Sequence, residues 1–199
     1  MTRRAVQTFI VATAVVLAAA GCEAAKLNPG EAAPDWSGIP GTDGKPHGLS
    51  DYRDAKLLVL VFTCNHCPVA RGYEDRLVAL QADYQPKGVQ VVAVNVSNIP
   101  ADRMEPMKER AESKRFNFPY LYDASQKIGR DYGADRTPHV FVLDPNRKIA
   151  YVGAIDDNLD AKNVKTHYLR DALDSLLAGK APPKAVTQQF GCGIQYEKK

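Results

Sequence analysis

A continuous apolar run followed by helical spacing is the clearest pattern along this chain. Residues 57–62 are all apolar, which is typical of a strand that is buried on both faces of a sheet. Large side chains then recur at helical spacing, at Tyr73, Leu77, Leu80 and Tyr84. The turn signal Pro86-Lys87-Gly88 ends that helix. We therefore predict a strand over 57–63 and a helix directly after it.

The remaining pattern predicts a mixed α/β architecture. Strands are predicted over 89–96, 120–122, 139–143 and 149–152, and helices over 101–116, 125–132 and 164–177. The helix over 101–116 is charged, so we expect most of it to be in solvent. The last helix has its buried face at Leu169, Leu173, Leu176 and Leu177. This order predicts a mixed central sheet with helices on both faces.

The first residues predict export. Arg3-Arg4 precede an apolar stretch over 8–20, which is too short to span a bilayer comfortably and ends in small residues. We predict a signal peptide over 1–21 and an exported protein of the periplasm or cell envelope. Leu17 to Cys22 resembles a bacterial lipoprotein processing site, although Ala19 replaces the usual leucine. Cys22 is thus a candidate for lipidation and membrane anchoring; the alternative is ordinary cleavage near Ala20.

Length and composition predict one folded domain. The chain has 199 residues, of which 45% are hydrophobic, and can bury one sizeable core. We predict a tether over 22–33, the domain over 34–179 and a C-terminal tail over 180–199.

The net charge is +3, and basic residues are scattered among acids, so nucleic acid is excluded as a predicted partner.

A pair of cysteines lies where the strand over 57–63 gives way to the helix, in Cys64-Asn65-His66-Cys67-Pro68. Two intervening residues let both sulfurs meet across one helical turn. Free N–H groups at the helix start stabilise a thiolate, and the pKa of such thiols falls from about 8.5 to roughly 3.5 to 7.5. We predict thiol and disulfide exchange, with Cys64 as the nucleophile and Cys67 as the resolving thiol.

Residues from about Pro34 to Gly179 resemble the thioredoxin superfamily, and within it exported thioredoxin-like proteins related to the alkyl hydroperoxide reductase and thiol-specific antioxidant (redoxin) group. The motifs that carry the resemblance are Ala33-Pro34-Asp35 with Asp43-Gly44-Lys45, the dithiol motif with its proline, Thr137-Pro138, and Val152-Gly153-Ala154. The resemblance implies a thioredoxin-like fold and a cis peptide bond before Pro138. Such a bond turns the backbone of Thr137 toward an incoming substrate strand.

The resemblance also bears on how the dithiol is tuned. A histidine before the second cysteine, here His66, is shared with strongly oxidising periplasmic thiol oxidases, and a protonated imidazole beside a thiolate makes the disulfide a stronger oxidant. Asn65 completes the dipeptide. The acid and the tryptophan that thioredoxins carry before the first cysteine are replaced by Leu58 and Thr63. The usual buried base is therefore not identified.

Topology offers a substitute for the missing base. The last strand should end at the same sheet edge as Cys64, so Asp156 and Asp157 are candidate proton relays. The alternative is that they belong to a solvated loop that caps the final helix.

Cys192 is the remaining thiol, and it follows the domain in Phe190-Gly191-Cys192-Gly193. Three interpretations stay open: a second resolving thiol, an intermolecular partner, or an inert cysteine packed beside Phe190. The predicted partners are protein or small-molecule disulfides and thiols, together with an electron-transfer partner that the sequence does not identify.

Two other functions compete with thiol exchange. A thiol peroxidase would need a proline and a threonine that are absent before either cysteine, although Arg136 is a candidate for binding peroxide. A copper-delivery module would use Cys64 and Cys67 with His66 or His139. Covalent haem is excluded because Pro68, not histidine, follows the second cysteine. We predict no cofactor and no resident metal.

Overall fold

The computed structural model of the protein describes residues 26–198. The predicted signal peptide, Cys22 and the first part of the predicted tether lie outside the described residues. Among the helices of residues 26–198, none has both the length and the apolar character needed to cross a membrane.

The α-helices and the longer strands follow the predicted order, and the two-residue strands at 136–137 and 192–193 are additional. The strands are β1 (Ile39–Pro40), β2 (Pro46–His47), β3 (Leu57–Phe62), β4 (Val89–Asn95), β5 (Tyr120–Tyr122), β6 (Arg136–Thr137), β7 (His139–Leu143), β8 (Ile149–Gly153) and β9 (Cys192–Gly193). The α-helices are α1 (Pro68–Tyr84), α2 (Met104–Ser113), α3 (Lys127–Asp131) and α4 (Tyr168–Leu177).

The central sheet has the strand order β5-β4-β3-β7-β8. Strands β3, β4 and β5 are parallel to one another, and β7 runs antiparallel to both β3 and β8. The sheet is therefore mixed, as predicted. The carboxyl ends of β3, β4 and β8 and the start of β7 meet at one edge of the sheet, because Phe62 is paired with His139 and Val140 with Gly153. This edge carries the dithiol motif.

Both faces of the sheet are covered, and side chains of β3 alternate between two cores. Leu57, Val59 and Val61 belong to a core covered by α1, α2 and α4. The intervening side chains, including Phe62, belong to a core covered by α3 and N-terminal residues such as Trp36. Every residue of β3 is buried, which explains why its sequence is apolar without alternation.

Three helices are shorter than the sequence pattern predicts. The predicted helix over 101–116 is a 3₁₀ turn at Pro100–Asp102 followed by α2, and α4 begins at Tyr168 instead of residue 164. The helix predicted over 125–132 is confined to α3, Lys127–Asp131. Most of this segment is exposed or half-buried, as expected, but the side chain of Asp102 is fully buried. Its carboxylate accepts backbone N–H groups from the dithiol motif, and these hydrogen bonds draw the turn inward.

Both terminal segments pack on the domain. In the described part of the predicted tether, Gly30 donates to the carbonyl of Ile149 at 2.7 Å. In the predicted tail, Thr187 donates to the carbonyl of Val152 at 3.0 Å, and β9 pairs with β6. Gly153, at φ +147°, permits this approach, since a Cβ atom there would lie 2.5 Å from the carbonyl oxygen of Thr187. The tail is thus an ordered part of the fold.

Candidate active site

Three thiols meet at the edge of the sheet where β3 ends. Cys64 follows β3, Cys67 precedes α1, and Cys192 lies in β9. Together with Ala70 and Val69 they form one small contact cluster. All three are free thiols.

Cys67 is the N-cap residue of α1. Its sulfur accepts a hydrogen bond from the N–H of Ala70 at 3.4 Å, and Pro68 occupies the first helical position, where no N–H is needed. The helix start therefore stabilises negative charge on this sulfur. Cys67 is fully buried, so substrate cannot reach it directly.

Cys64 is the sulfur that faces a cavity. The residue is only 3% exposed, yet it lines a cavity of about 540 Å³ together with His66 and Thr137. One wall of the cavity is formed by residues 193–197 of the C-terminal segment. A substrate sulfur would therefore meet Cys64 before Cys67.

Thr137 contacts both cysteines of the motif. Its hydroxyl lies 3.3 Å from the sulfur of Cys64, and its carbonyl oxygen accepts a hydrogen bond from the thiol of Cys67 at 3.3 Å. The Thr137–Pro138 bond is cis, as the family resemblance implies. The backbone of Thr137 is not open to an incoming strand, however, because it is paired with Cys192 of β9.

Cys64 and Cys67 belong to one contact cluster, and each thiol is the strongest influence on the ionisation of the other. This interaction lowers the pKa of Cys67 to about 4 and raises that of Cys64. The N–H of Ala70 donates to the Cys67 sulfur, and the thiol of Cys192 also lowers the pKa of Cys67. Burial raises the pKa of Cys64 further, and so does the negative charge of Asp102.

Asp102 is the functional residue that sequence analysis misses. One carboxylate oxygen accepts the N–H groups of Asn65 at 2.7 Å and of His66 at 3.0 Å, and the other accepts Nδ1 of His66 at 2.5 Å. The sulfur of Cys64, a ring nitrogen of His66 and a carboxylate oxygen of Asp102 all lie within 4.8 Å of one another. The turn after β4 thus contributes a buried acid to the site, which the residues before Cys64 do not. The sequence signal for Asp102 is indirect: Asp102 and the dithiol motif each follow one of two neighbouring parallel strands.

Asn65 fixes the dithiol loop in this position. Its side-chain amide donates to the carbonyl of Ala101 at 2.9 Å, and its side-chain oxygen accepts the hydroxyl of Tyr120 at 3.0 Å. These bonds tie the loop to β5 and to the turn that carries Asp102.

The Redoxin family model matches residues 28–168 of this sequence. The chain belongs to the Redoxin family. Thioredoxin-fold oxidoreductases are its structural relatives, and the protein is an oxidoreductase of this fold. No curated protein sequence matches the chain at a significant level.

Solved structures include close relatives of this redoxin. An uncharacterized conserved protein from Geobacillus kaustophilus is 34% identical with a TM-score of 0.80, and the match covers 87% of this chain and 94% of that one. A hypothetical protein from Sinorhizobium meliloti 1021 is 30% identical with a TM-score of 0.82, covering 88% and 98%. A putative thiol:disulfide interchange protein DsbE from Chlorobium tepidum is 28% identical with a TM-score of 0.57, covering 64% and 85%.

The aspartates predicted as proton relays in this redoxin have other partners. Asp156 is buried, accepts the hydroxyl of Tyr73 at 2.8 Å and pairs with Arg76 at 2.5 Å. Asp157 is exposed, and its carboxylate accepts the N–H of Lys165 at 2.9 Å. Neither carboxylate forms a hydrogen bond with a cysteine in the described part of the redoxin. Asp156 therefore anchors α1 to the loop after β8.

Two residues that the competing functions would use, Arg136 and His139, do not line the cavity at Cys64. Arg136 faces Asp135, with 3.7 Å between Nε and Oδ1, and is not part of the wall around Cys64. His139 packs against Phe141 in the second core at a ring distance of 4.5 Å. Within residues 26–198, the group suited to a metal is Cys64, His66 and Asp102, in which the last two are hydrogen-bonded to each other.

Proposed function

We propose that this redoxin is an exported thiol-disulfide oxidoreductase with Cys64 as the nucleophile and Cys67 as the resolving thiol. The observation that carries the proposal is a pair of thiols in one contact cluster, both in contact with Thr137, of which one lines a cavity and the other caps a helix. A buried structural pair would not need a cavity on one sulfur. The apolar stretch over 8–20 supports the export.

Exchange proceeds through a mixed disulfide on Cys64. In the oxidising direction, a substrate thiolate attacks the Cys64 sulfur of the Cys64–Cys67 disulfide and expels the Cys67 thiolate. A second substrate thiolate then attacks the substrate sulfur and releases Cys64. Two substrate thiols become one disulfide, and the protein gains two electrons and two protons. The reducing direction is the reverse.

The surroundings of Cys67 favour the oxidising direction. A leaving thiolate departs faster when its pKa is low, and the pKa of Cys67 is lowered by Cys64, by Cys192 and by the hydrogen bond from the N–H of Ala70. The same interactions stabilise the reduced protein, which makes its disulfide a stronger oxidant. A measured reduction potential well below about −180 mV, the value of disulfide isomerases, would contradict this direction.

Protons at Cys64 are exchanged with the His66–Asp102 pair. The carboxylate of Asp102 orients the ring of His66. A carboxylate oxygen of Asp102 and a ring nitrogen of His66 lie within 4.8 Å of the Cys64 sulfur. This arrangement supports a proton acceptor at the site and replaces the acid that is absent at Leu58.

The shape of the site favours substrates that enter the cavity. A volume of about 540 Å³ fits a small-molecule thiol or a flexible peptide segment. Pairing of a substrate strand with Thr137 would require displacement of β9. We therefore propose small-molecule or flexible protein thiols and disulfides as the substrate class.

Trapping tests the proposal. Cys67→Ser should accumulate mixed disulfides on Cys64 when the protein is incubated with a periplasmic extract, because the resolving thiol is missing. Non-reducing electrophoresis and mass spectrometry identify the trapped species. Cys64→Ser is the matched control and should accumulate no mixed disulfide on Cys67. Equal trapping by the two variants, or none by Cys67→Ser, would reject the assigned roles.

Export and lipidation are tested separately. The full chain should fractionate outside the cytoplasm, and Cys22→Ala should move it from the membrane to the soluble envelope fraction. A soluble wild-type protein outside the cytoplasm would reject the anchor and retain the export.

A further inference from the structure

Cys192 is held against the dithiol by a strand of its own. β9 pairs antiparallel with β6, and the pairing places Cys192 opposite Thr137, the residue that contacts both motif cysteines. The side chain of Cys192 is half-buried in the contact cluster that contains Cys64 and Cys67. The third thiol is therefore part of the same site.

Cys192 packs against the cluster that contains Cys67 and acts on its ionisation. The presence of the Cys192 thiol lowers the pKa of Cys67. Burial, followed by the interaction with Cys67, raises the pKa of Cys192 to about 11. Cys67 thus has two thiol neighbours: Cys64, which lines the cavity, and Cys192, which lies in β9.

Gly191 makes this approach possible. It has φ +148°, and a Cβ atom there would lie 2.0 Å from the carbonyl oxygen of Thr137, so a larger residue would push β9 away. A Cβ at Gly193 would meet only the carbonyl oxygen of Asp135, at 3.9 Å, an ordinary contact.

Contacts on both sides hold β9 in place. Phe190 packs edge-on against Tyr73 of α1 at a ring distance of 6.0 Å. The hydroxyl of Tyr196 donates to the carbonyl of Ala134 at 2.6 Å. Cys192 is thus presented by an anchored segment, where a freely moving tail would present it only transiently.

From this geometry we infer that Cys192 is a third redox thiol, which attacks the Cys67 sulfur of the Cys64–Cys67 disulfide. The Cys67–Cys192 bond forms, the Cys64–Cys67 bond breaks, and the proton of Cys192 passes to the sulfur of Cys64. No external electrons are needed. The disulfide is then held between Cys67 and Cys192, and Cys64 becomes a free thiol that faces the cavity. This inference rests on the proposed function for the source of the first disulfide.

The test uses the full chain with Cys22→Ser, so that three thiols remain. The Cys64→Ser variant is oxidised with diamide, blocked with N-ethylmaleimide and mapped by mass spectrometry. We expect most of the monomer to contain a Cys67–Cys192 disulfide. Adding Gly191→Ala should slow its formation at least tenfold, whereas the matched control Gly193→Ala should change the rate less than twofold. Circular dichroism checks that each variant is folded.

The protein that retains Cys64 supplies the second readout. After oxidation by one equivalent, its peptide map should contain both Cys64–Cys67 and Cys67–Cys192, with N-ethylmaleimide on Cys64 in the second population. Two free thiols in folded, oxidised Cys64→Ser, or only intermolecular dimers, would overturn the inference. If the Cys67–Cys192 disulfide forms but Cys67→Ser traps nothing on Cys64, the proposed function fails and the inference about Cys192 is retained. If Cys67→Ser traps mixed disulfides on Cys64 but no Cys67–Cys192 disulfide forms, only the proposed function is retained.

Discussion

The buried carboxylate of Asp102 lies against the ring of His66, with Oδ2 2.5 Å from Nδ1. The two residues come from the turns after β4 and β3, which are adjacent parallel strands. The same carboxylate also receives two backbone N–H groups of the dithiol loop, so one residue both shapes the loop and places charge near Cys64.

Replacement of Asp102 should change the ionisation of Cys64. The negative charge of Asp102 raises the pKa of Cys64, so Asp102→Asn should lower it and increase the thiolate fraction. In a Cys67→Ser background, we expect alkylation of Cys64 by iodoacetamide at pH 7 to be about threefold to tenfold faster, since one pH unit is a factor of ten.

The exposed Asp157→Asn provides the matched control and should leave that rate unchanged. Slower alkylation in Asp102→Asn would show that the loss of proton acceptance through His66 outweighs the loss of charge.

Removal of the Cys192 thiol should weaken the Cys67 thiolate. Cys192→Ala deletes a neighbouring thiol that lowers the pKa of Cys67, so this pKa should rise above about 4. The reduction potential should fall in parallel, because the reduced state loses stabilisation. Thiolate absorbance at 240 nm against pH and equilibration with glutathione measure the two changes.

Cys192→Ser is the conservative comparison, since a hydroxyl can still donate. It should produce a smaller shift in the pKa of Cys67 than the alanine variant does. An unchanged absorbance titration in Cys192→Ala would show that Cys192 does not act on Cys67.

Asp156 should matter for stability and not for exchange. Asp156→Asn leaves Arg76 without its buried partner and weakens the bond to Tyr73, so we expect a loss of about 1 to 3 kcal/mol in the free energy of unfolding. Urea denaturation measures this loss, and dithiol exchange should stay within about twofold of wild type.

Asp157→Asn, on the exposed neighbour, should change the free energy of unfolding much less than Asp156→Asn does. A tenfold loss of exchange in a fully stable Asp156→Asn variant would instead support the relay role that the sequence predicts.

His139 should make stability depend on pH. Both ring nitrogens are buried without a hydrogen-bond partner, and burial lowers the pKa to about 4 from an ordinary value of 6.5. Because the unfolded chain binds the proton more readily, the stability contribution is complete above pH 6.5 and is lost as pH falls toward 4. The expected loss is about 2 kcal/mol between pH 7 and pH 5.

His139→Leu should remove this part of the pH dependence, as measured by urea denaturation at both pH values. The exposed His167→Leu is the control and should retain it. A His139→Leu variant with the pH dependence of wild type would show that other groups cause it.

The sequence by itself determined the sheet-forming segments and the dithiol, because these signals are local. An apolar run buried on both faces identifies β3, and two cysteines spaced by one helical turn at its end indicate exchange chemistry. The mixed sheet with helices on both faces followed from the order of the elements. The sequence pattern predicts the first residue of a helix less accurately, since side-chain hydrogen bonds such as those to Asp102 decide where the first turn forms.

Only the tertiary structure decided which distant residues join the dithiol. Asp102 belongs to a charged stretch that a helical pattern assigns to solvent, and it is buried because the ends of two parallel strands meet. Cys192 was visible as a thiol, but its position depends on β9 pairing with β6 over a glycine that admits close backbone contact. Local patterns encode elements, whereas such contacts arise from the way the chain returns on itself.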